Sequence, residues 1–298
     1  MSFVPRGIIP PVVTPLHEDG SINEPMLRKS IEFLLEGGVH GMFPMGTTGE
    51  FYAFEPDEYR RILEITKETV NGRVPVYAGC NHITTRGAIK LVKIAEEVGV
   101  DAISVLTPMF VSQTPQELYA YFKTIAESTS VPIILYNNPP KTNVNILPVT
   151  AAKLAEIDNI VGIKDSSGDM TTTLEYIRLT QNNDNFHVMI GRDTLIYSGM
   201  CSGATGAIAS CACVAPRVVA DIYDKYVAGD YEGSLAAQFR LAPLRLACAM
   251  GTFPAVIKEG MNQLGLPVGK CLEPIAEITP EQKEELRKVL IGMDLIQQ

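Results

Sequence analysis

The 298-residue sequence is short of several things, and each shortage excludes a class of protein. Positive charge is outnumbered: 25 Lys and Arg against 34 Asp and Glu leave a net charge of −9, so a general nucleic-acid surface of clustered basic side chains is not expected. No apolar run reaches the roughly 18 residues that a membrane span requires. The opening "MSFVPRGIIPPVVTPL" is broken by prolines and lacks the uninterrupted apolar segment of a secretory signal, so a cytoplasmic protein is the expectation. The six cysteines (Cys80, Cys201, Cys211, Cys213, Cys248, Cys271) form no CxxC pair and stand in apolar stretches. They read as buried free thiols rather than disulfides or a metal site. Four scattered histidines (His17, His40, His82, His187) show no HExxH spacing, so neither metal nor haem is expected. Hydrophobic residues at 46% and charged residues at 20% exclude a disordered chain.

What is present is a rhythm. Short apolar segments alternate with amphipathic ones: "GIIPPVVTPL", "GMFPMG", "VPVYAGC", "AISVLTP", "VPIILYNN", "IVGIKDSS", "FHVMIGR" and "GAIAS" read as strands, each followed by a plausible helix. Near-continuous apolar strands imply a parallel sheet covered by helices on its faces. No GxGxxG follows the first strand, as a doubly wound sheet would more often show. Eight such units fit a closed (β/α)8 barrel over residues 1–228. From residue 229 the pattern is helical only, through "EGSLAAQFRLAPLRLACAM", "FPAVIKEGMNQLG" and "EQKEELRKVLIGM", and is read as a C-terminal extension, 229–298, packed on the barrel.

In such a barrel the chemistry gathers at the C-terminal ends of the strands. One of those ends is "ILYNNPPKT", where Pro139 and Pro140 stop the ladder just after Tyr136. A tyrosine there either covers the core rim or presents its hydroxyl. Lys164 ends the apolar "NIVGIKDSS". Either it pairs with Asp165 or another carboxylate, or it is a desolvated amine able to attack a ketone. "GTTGE", residues 46–50, offers glycine-turn N–H groups and two hydroxyls, suited to a carboxylate but also common in ordinary turns. The coincidence of a carboxylate holder, a tyrosine and a lysine at one rim describes a site for a 2-keto acid.

These motifs, "TPL", "GTTGE", "LTP", "YNNP", "GIKDSSGD", "GRD" and "GATGAIAS", in this order over nearly the whole chain, resemble the dihydrodipicolinate synthase and N-acetylneuraminate lyase family of class I, Schiff-base lyases. The resemblance implies Lys164 as the residue that forms an imine with pyruvate, Tyr136 as the acid and base, and Thr47 and Thr48 as carboxylate and proton-relay contacts. It places Gly191 and Ile208 beside the keto acid. No metal or organic cofactor is implied, the partners are pyruvate and an aldehyde, and a homo-oligomer is expected, with a tetramer favoured.

The match departs from the synthases at two places. Where they carry arginine after the "YNxP" proline this chain has Lys141, which lacks the planar fork, and where they lend a tyrosine across a subunit interface it has Phe110 after Met109. The sialic-acid branch is further off, with Thr194 after Asp193 instead of an acidic residue. The leading expectation is an aldolase of 2-keto-3-deoxy sugar acids or related 4-hydroxy-2-keto acids, with Lys141, Asp165, Ser166, Ser167 and Ser210 toward the second half of the substrate. The alternatives are the synthase that condenses pyruvate with aspartate semialdehyde, a dehydratase or deaminase using the same imine, and a non-catalytic keto-acid-binding regulator.

Overall fold

The structure is a computed structural model and describes residues 3–297. Within it seven strands, β1 (Gly7–Ile9), β2 (Tyr77–Gly79), β3 (Ala102–Leu106), β4 (Ile133–Asn137), β5 (Ile160–Asp165), β6 (His187–Ile190) and β7 (Gly206–Ile208), form one parallel sheet in the order β1-β7-β6-β5-β4-β3-β2. The helices are α1 (Glu24–Glu36), α2 (Pro56–Val70), α3 (Thr85–Val98), α4 (Pro115–Ala126), α5 (Pro139–Thr142), α6 (Pro148–Leu154), α7 (Met170–Thr180), α8 (Ile196–Cys201), α9 (Pro216–Val227), α10 (Tyr231–Ala247), α11 (Ala255–Gln263) and α12 (Pro280–Gly292). Local sequence sets several of their starts. Thr114 and Glu117 form a reciprocal capping box at α4, Thr279 and Gln282 another at α12, and Glu55 and Glu58 a third at α2, each with proline in the first turn.

The expected second strand, "GMFPMG", is not a regular strand. Its backbone nonetheless closes the ring. Phe43 N–H donates to the Pro10 carbonyl at 3.0 Å and Val12 N–H to the Phe43 carbonyl at 2.9 Å on the β1 side. On the other side Met42 N–H donates to Pro75, Tyr77 N–H to Met42 and Gly79 N–H to Pro44. Pro10, Pro11 and Pro44 have no N–H to give, so the ladder at this seam is intermittent, and regular pairing is confined to a single bridge, Met42 with Val76.

The barrel therefore has eight staves. Its interior is filled by one cluster to which each stave contributes a residue: Ile9, Phe43, Tyr77, Ala102, Ile134, Val161, Met189 and Ile208. Two larger apolar clusters lie between the barrel and its helices, and the second joins α9 to the three C-terminal helices through residues such as Val219, Leu241, Leu244, Leu286 and Leu290. No helix of the described residues is long and apolar enough to cross a membrane. All six cysteines are free, but Cys201 is exposed where the sequence pattern predicts a buried thiol. It ends the short α8, and an apolar neighbourhood in sequence does not say which face of a six-residue helix meets the core.

Candidate active site

Tyr136 and Lys164 stand side by side, because β4 and β5 are paired in the register Tyr136 to Lys164. Successive strand residues face opposite ways, which separates Lys164 from its neighbour. Asp165 points into the helix layer, where its carboxylate accepts from Asn137 Nδ2 at 3.1 Å, Ser167 N–H at 3.0 Å, Ser167 Oγ at 2.9 Å and Thr173 Oγ1 at 2.6 Å. The expected substrate contacts from Asp165 and Ser167 are thereby corrected: both are spent on holding the loop that follows β5. The alternative in which Asp165 neutralises Lys164 falls for the same reason.

Lys164 instead lies in an aromatic setting. Its Nζ is 4.0 Å from the Tyr136 ring centroid and 5.1 Å from that of Phe43, and the residue is 4% exposed. Tyr136 is equally buried, and its hydroxyl accepts a hydrogen bond from Asn138 Nδ2 at 2.9 Å. Burial pushes the phenol pKa up, but the Lys164 charge and hydrogen bonding from Thr47, Ser166 and Lys164 outweigh it, so the group sits below the ordinary tyrosine value. That is a phenol tuned toward giving up its proton.

Thr47 and Thr48 belong to a tight loop framed by two non-glycine residues in the left-handed region, Met45 at φ 58° and Glu50 at φ 57°. The loop folds on itself through Gly49 N–H to the Gly46 carbonyl and Glu50 N–H to the Thr47 carbonyl. Among the described residues the backbone N–H groups of Thr47 and Thr48 have no backbone partner, the arrangement that receives a carboxylate. Glu50 anchors the loop from below through a fully buried ion pair with Lys258 of α11 at 2.6 Å.

A cavity of about 340 Å³ opens over these groups at the C-terminal end of the barrel. Of the eleven residues that the sequence pointed to, Asp165 and Ser167 do not line it, and the other nine, Lys164, Tyr136, Thr47, Thr48, Gly191, Ile208, Lys141, Ser166 and Ser210, do. So do residues to which the sequence assigned no role: Asn138, Arg192, Asp193, Phe253 and Arg245. Arg192 and Asp193 were visible inside the "GRD" motif at a strand end, without a partner to define their task. Arg245 and Phe253 come from the helical extension, and no local pattern says that it reaches the barrel mouth. Asp193 is 3% exposed, accepts from Cys211 N–H at 2.9 Å and Ser210 Oγ at 3.2 Å, and lies 3.5 Å from Arg245 Nε. No cluster of three or more His, Cys, Asp or Glu side chains placed for a metal ion occurs among the described residues.

Comparison with known proteins gives the family. The pattern of the dihydrodipicolinate synthetase family matches residues 4–292. The 4-hydroxy-tetrahydrodipicolinate synthase of Methanopyrus kandleri is 39% identical over 99% of both chains, and that of Methanothrix thermoacetophila is 36% identical over 97% of both. Among solved structures, the Thermotoga maritima dihydrodipicolinate synthase superposes with a TM-score of 0.96 at 32% identity, covering 99% of this chain and 100% of its own. YagE of E. coli K12, a prophage protein of the same family solved in complex with pyruvate, gives 0.94 at 29% identity over 98% and 99%. The chain belongs to the dihydrodipicolinate synthetase family, pyruvate-dependent lyases and synthases that form carbon–carbon bonds through a lysine Schiff base.

Proposed function

We propose that the chain is a 4-hydroxy-tetrahydrodipicolinate synthase, condensing pyruvate with aspartate semialdehyde on Lys164. The observation that carries the chemistry is the buried Lys164 amine 4.0 Å over the Tyr136 ring, beside the open N–H groups of Thr47 and Thr48. The names of the relatives support the acceptor, and they favour this reading over the sugar-acid aldolase that the sequence put first. Lys164 Nζ attacks the pyruvate ketone and water leaves, giving an imine whose carboxylate rests on Thr47 and Thr48. Loss of a proton from the pyruvate methyl forms the enamine, which attacks the aldehyde carbon; Tyr136 accepts and returns protons at these steps. Gly191 and Ile208 bound the keto acid, and Ser166, Ser210 and Lys141 face the acceptor. The enzyme works in the cytoplasm as a homo-oligomer, with a tetramer favoured.

Incubation with pyruvate and borohydride, followed by peptide mass analysis, tests the imine. A reduced pyruvyl adduct on Lys164, absent from Lys164→Ala, is the expected result, and a folded protein without adduct ends the proposal. Aspartate semialdehyde against glyceraldehyde then tests the acceptor. The sugar-acid aldolase remains as a second reading because Lys141 is exposed at the cavity rim and lacks the planar fork suited to a carboxylate. Turnover with glyceraldehyde alone would select it. Imine formation without turnover of any aldehyde would select the keto-acid-binding regulator.

A further inference from the structure

The cavity carries more positive charge than its own residues balance. Its wall holds four basic side chains, Lys141, Lys164, Arg192 and Arg245, and one carboxylate, Asp193, in a chain whose net charge is −9. One sign of charge gathered in a concave site against the overall balance concentrates anions there. The keto-acid carboxylate over Thr47 and Thr48 supplies one negative group, and the inference rests on that reading. The remaining wall still carries more basic side chains than Asp193 balances.

Arg245 is the basic residue on that wall best fixed for a ligand. Gln238, seven residues earlier and therefore on the same face of α10, donates through Nε2 to the Asp193 carbonyl at 2.9 Å and accepts from Tyr197 N–H at 3.0 Å. These two bonds dock the helix on the turn after β6 and bring Arg245 over the cavity. There the side chain is 21% exposed; its buried Nε faces the Asp193 carboxylate at 3.5 Å, and its two Nη groups make no ion pair among the described residues. With the guanidinium fixed through Nε, its Nη groups at the cavity wall are the donors left for an acceptor. Lys141, by contrast, is exposed on the rim and makes no ion pair among the described residues.

We propose that Arg245 receives a second carboxylate, that of the acceptor half of the substrate, so that the cavity is built for a molecule with anionic groups at both ends. Asp193 orients the guanidinium and leaves the rest of its planar fork for a charge-assisted, two-point contact. The C-terminal helices thereby set acceptor specificity, while the barrel strands carry the imine.

Borohydride trapping reads this without turnover. 2-Oxoglutarate and 2-oxoadipate are compared with 2-oxopentanoate and 2-oxohexanoate, which have the same chain lengths and an apolar end, and pyruvate serves as the reference acid. In the wild type at least one dicarboxylate is expected to reach half-saturation at a concentration about tenfold or more below its counterpart. That ratio falls to near one in Arg245→Met, is partly restored in Arg245→Lys, and survives in Lys141→Met. Equal half-saturation in the wild type, or a preference lost with Lys141→Met and kept in Arg245→Met, overturns the proposal whatever the folding of the variants. Absence of any adduct, with pyruvate included, removes the keto-acid reading itself; an adduct with no dicarboxylate preference removes this inference alone.

Discussion

Tyr136 concentrates the electrostatics of the site in one group. Among the tyrosines whose ionisation the structure clearly perturbs, burial raises Tyr52, Tyr59, Tyr77, Tyr121 and Tyr176, whereas Tyr136 is lowered because Lys164 and its hydrogen-bond donors overcome the same burial penalty. An acid with a lowered pKa ionises earlier as pH rises. Alkaline titration followed by tyrosinate absorbance is therefore expected to show a component below the ordinary value of about 10, missing from Tyr136→Phe. If the phenol also moves protons in the reaction, Tyr136→Phe lowers kcat by about 10²- to 10⁴-fold while borohydride still traps the pyruvyl adduct on Lys164. Loss of trapping together with turnover would place Tyr136 in imine formation instead.

At the scale of elements, the C-terminal helices support the loop after the second stave from outside. Glu50 accepts from Leu272 N–H at 2.8 Å and pairs with Lys258, whose Nζ also donates to the Lys270 carbonyl at 2.9 Å. The pair lies 0–1% exposed, where an uncompensated charge is costly. Lys258→Met is expected to destabilise the protein by about 3–5 kcal/mol in denaturant unfolding, and the double variant with Glu50→Gln to recover part of that loss. A loss of only a few tenths would mean that water reaches Glu50 once the lysine is gone. Because Glu50 closes the Thr47–Thr48 turn, the single variant also raises the pyruvate concentration needed for half-maximal trapping.

Two expectations belong to the whole molecule. Burial holds both His40 and His187 below the ordinary imidazole value of 6.5, against the raising influence of Asp224 on the first and Asp184 on the second. Below that value the unfolded chain binds protons that the folded chain refuses, so stability falls as pH drops. Thermal unfolding is expected to shift down between about pH 7 and about pH 5.5, and less so in His40→Gln; an unchanged slope would show that His40 protonates without opening the structure. The second concerns assembly. Phe110 is 94% exposed on left-handed backbone at φ 78°, next to the exposed Val111, an arrangement with no return in an isolated chain. If these side chains meet a second copy, light scattering detects an oligomer that Phe110→Asp dissociates. A wild-type monomer would leave this loop to another role.

Local chemistry determined most of what could be read in advance. The alternation of apolar strands and amphipathic helices specified the barrel, and prolines after Tyr136 and the apolar run before Lys164 marked strand ends, because propensity and periodicity act over a few residues. The same local reading overcounted regular strands at "GMFPMG", where proline removes the donors that a ladder needs, and took Asp165 and Ser167 for substrate contacts because alternation fixes which neighbours oppose each other but not which face is the interior. Tertiary structure decided the rest. It set the β4–β5 register that brings Tyr136 against Lys164, it paired Glu50 with Lys258 across 208 positions of sequence, and it swung Arg245 over the barrel mouth. Such contacts join segments far apart in the chain, and only packing of the complete core selects among the many partners that each side chain could otherwise find.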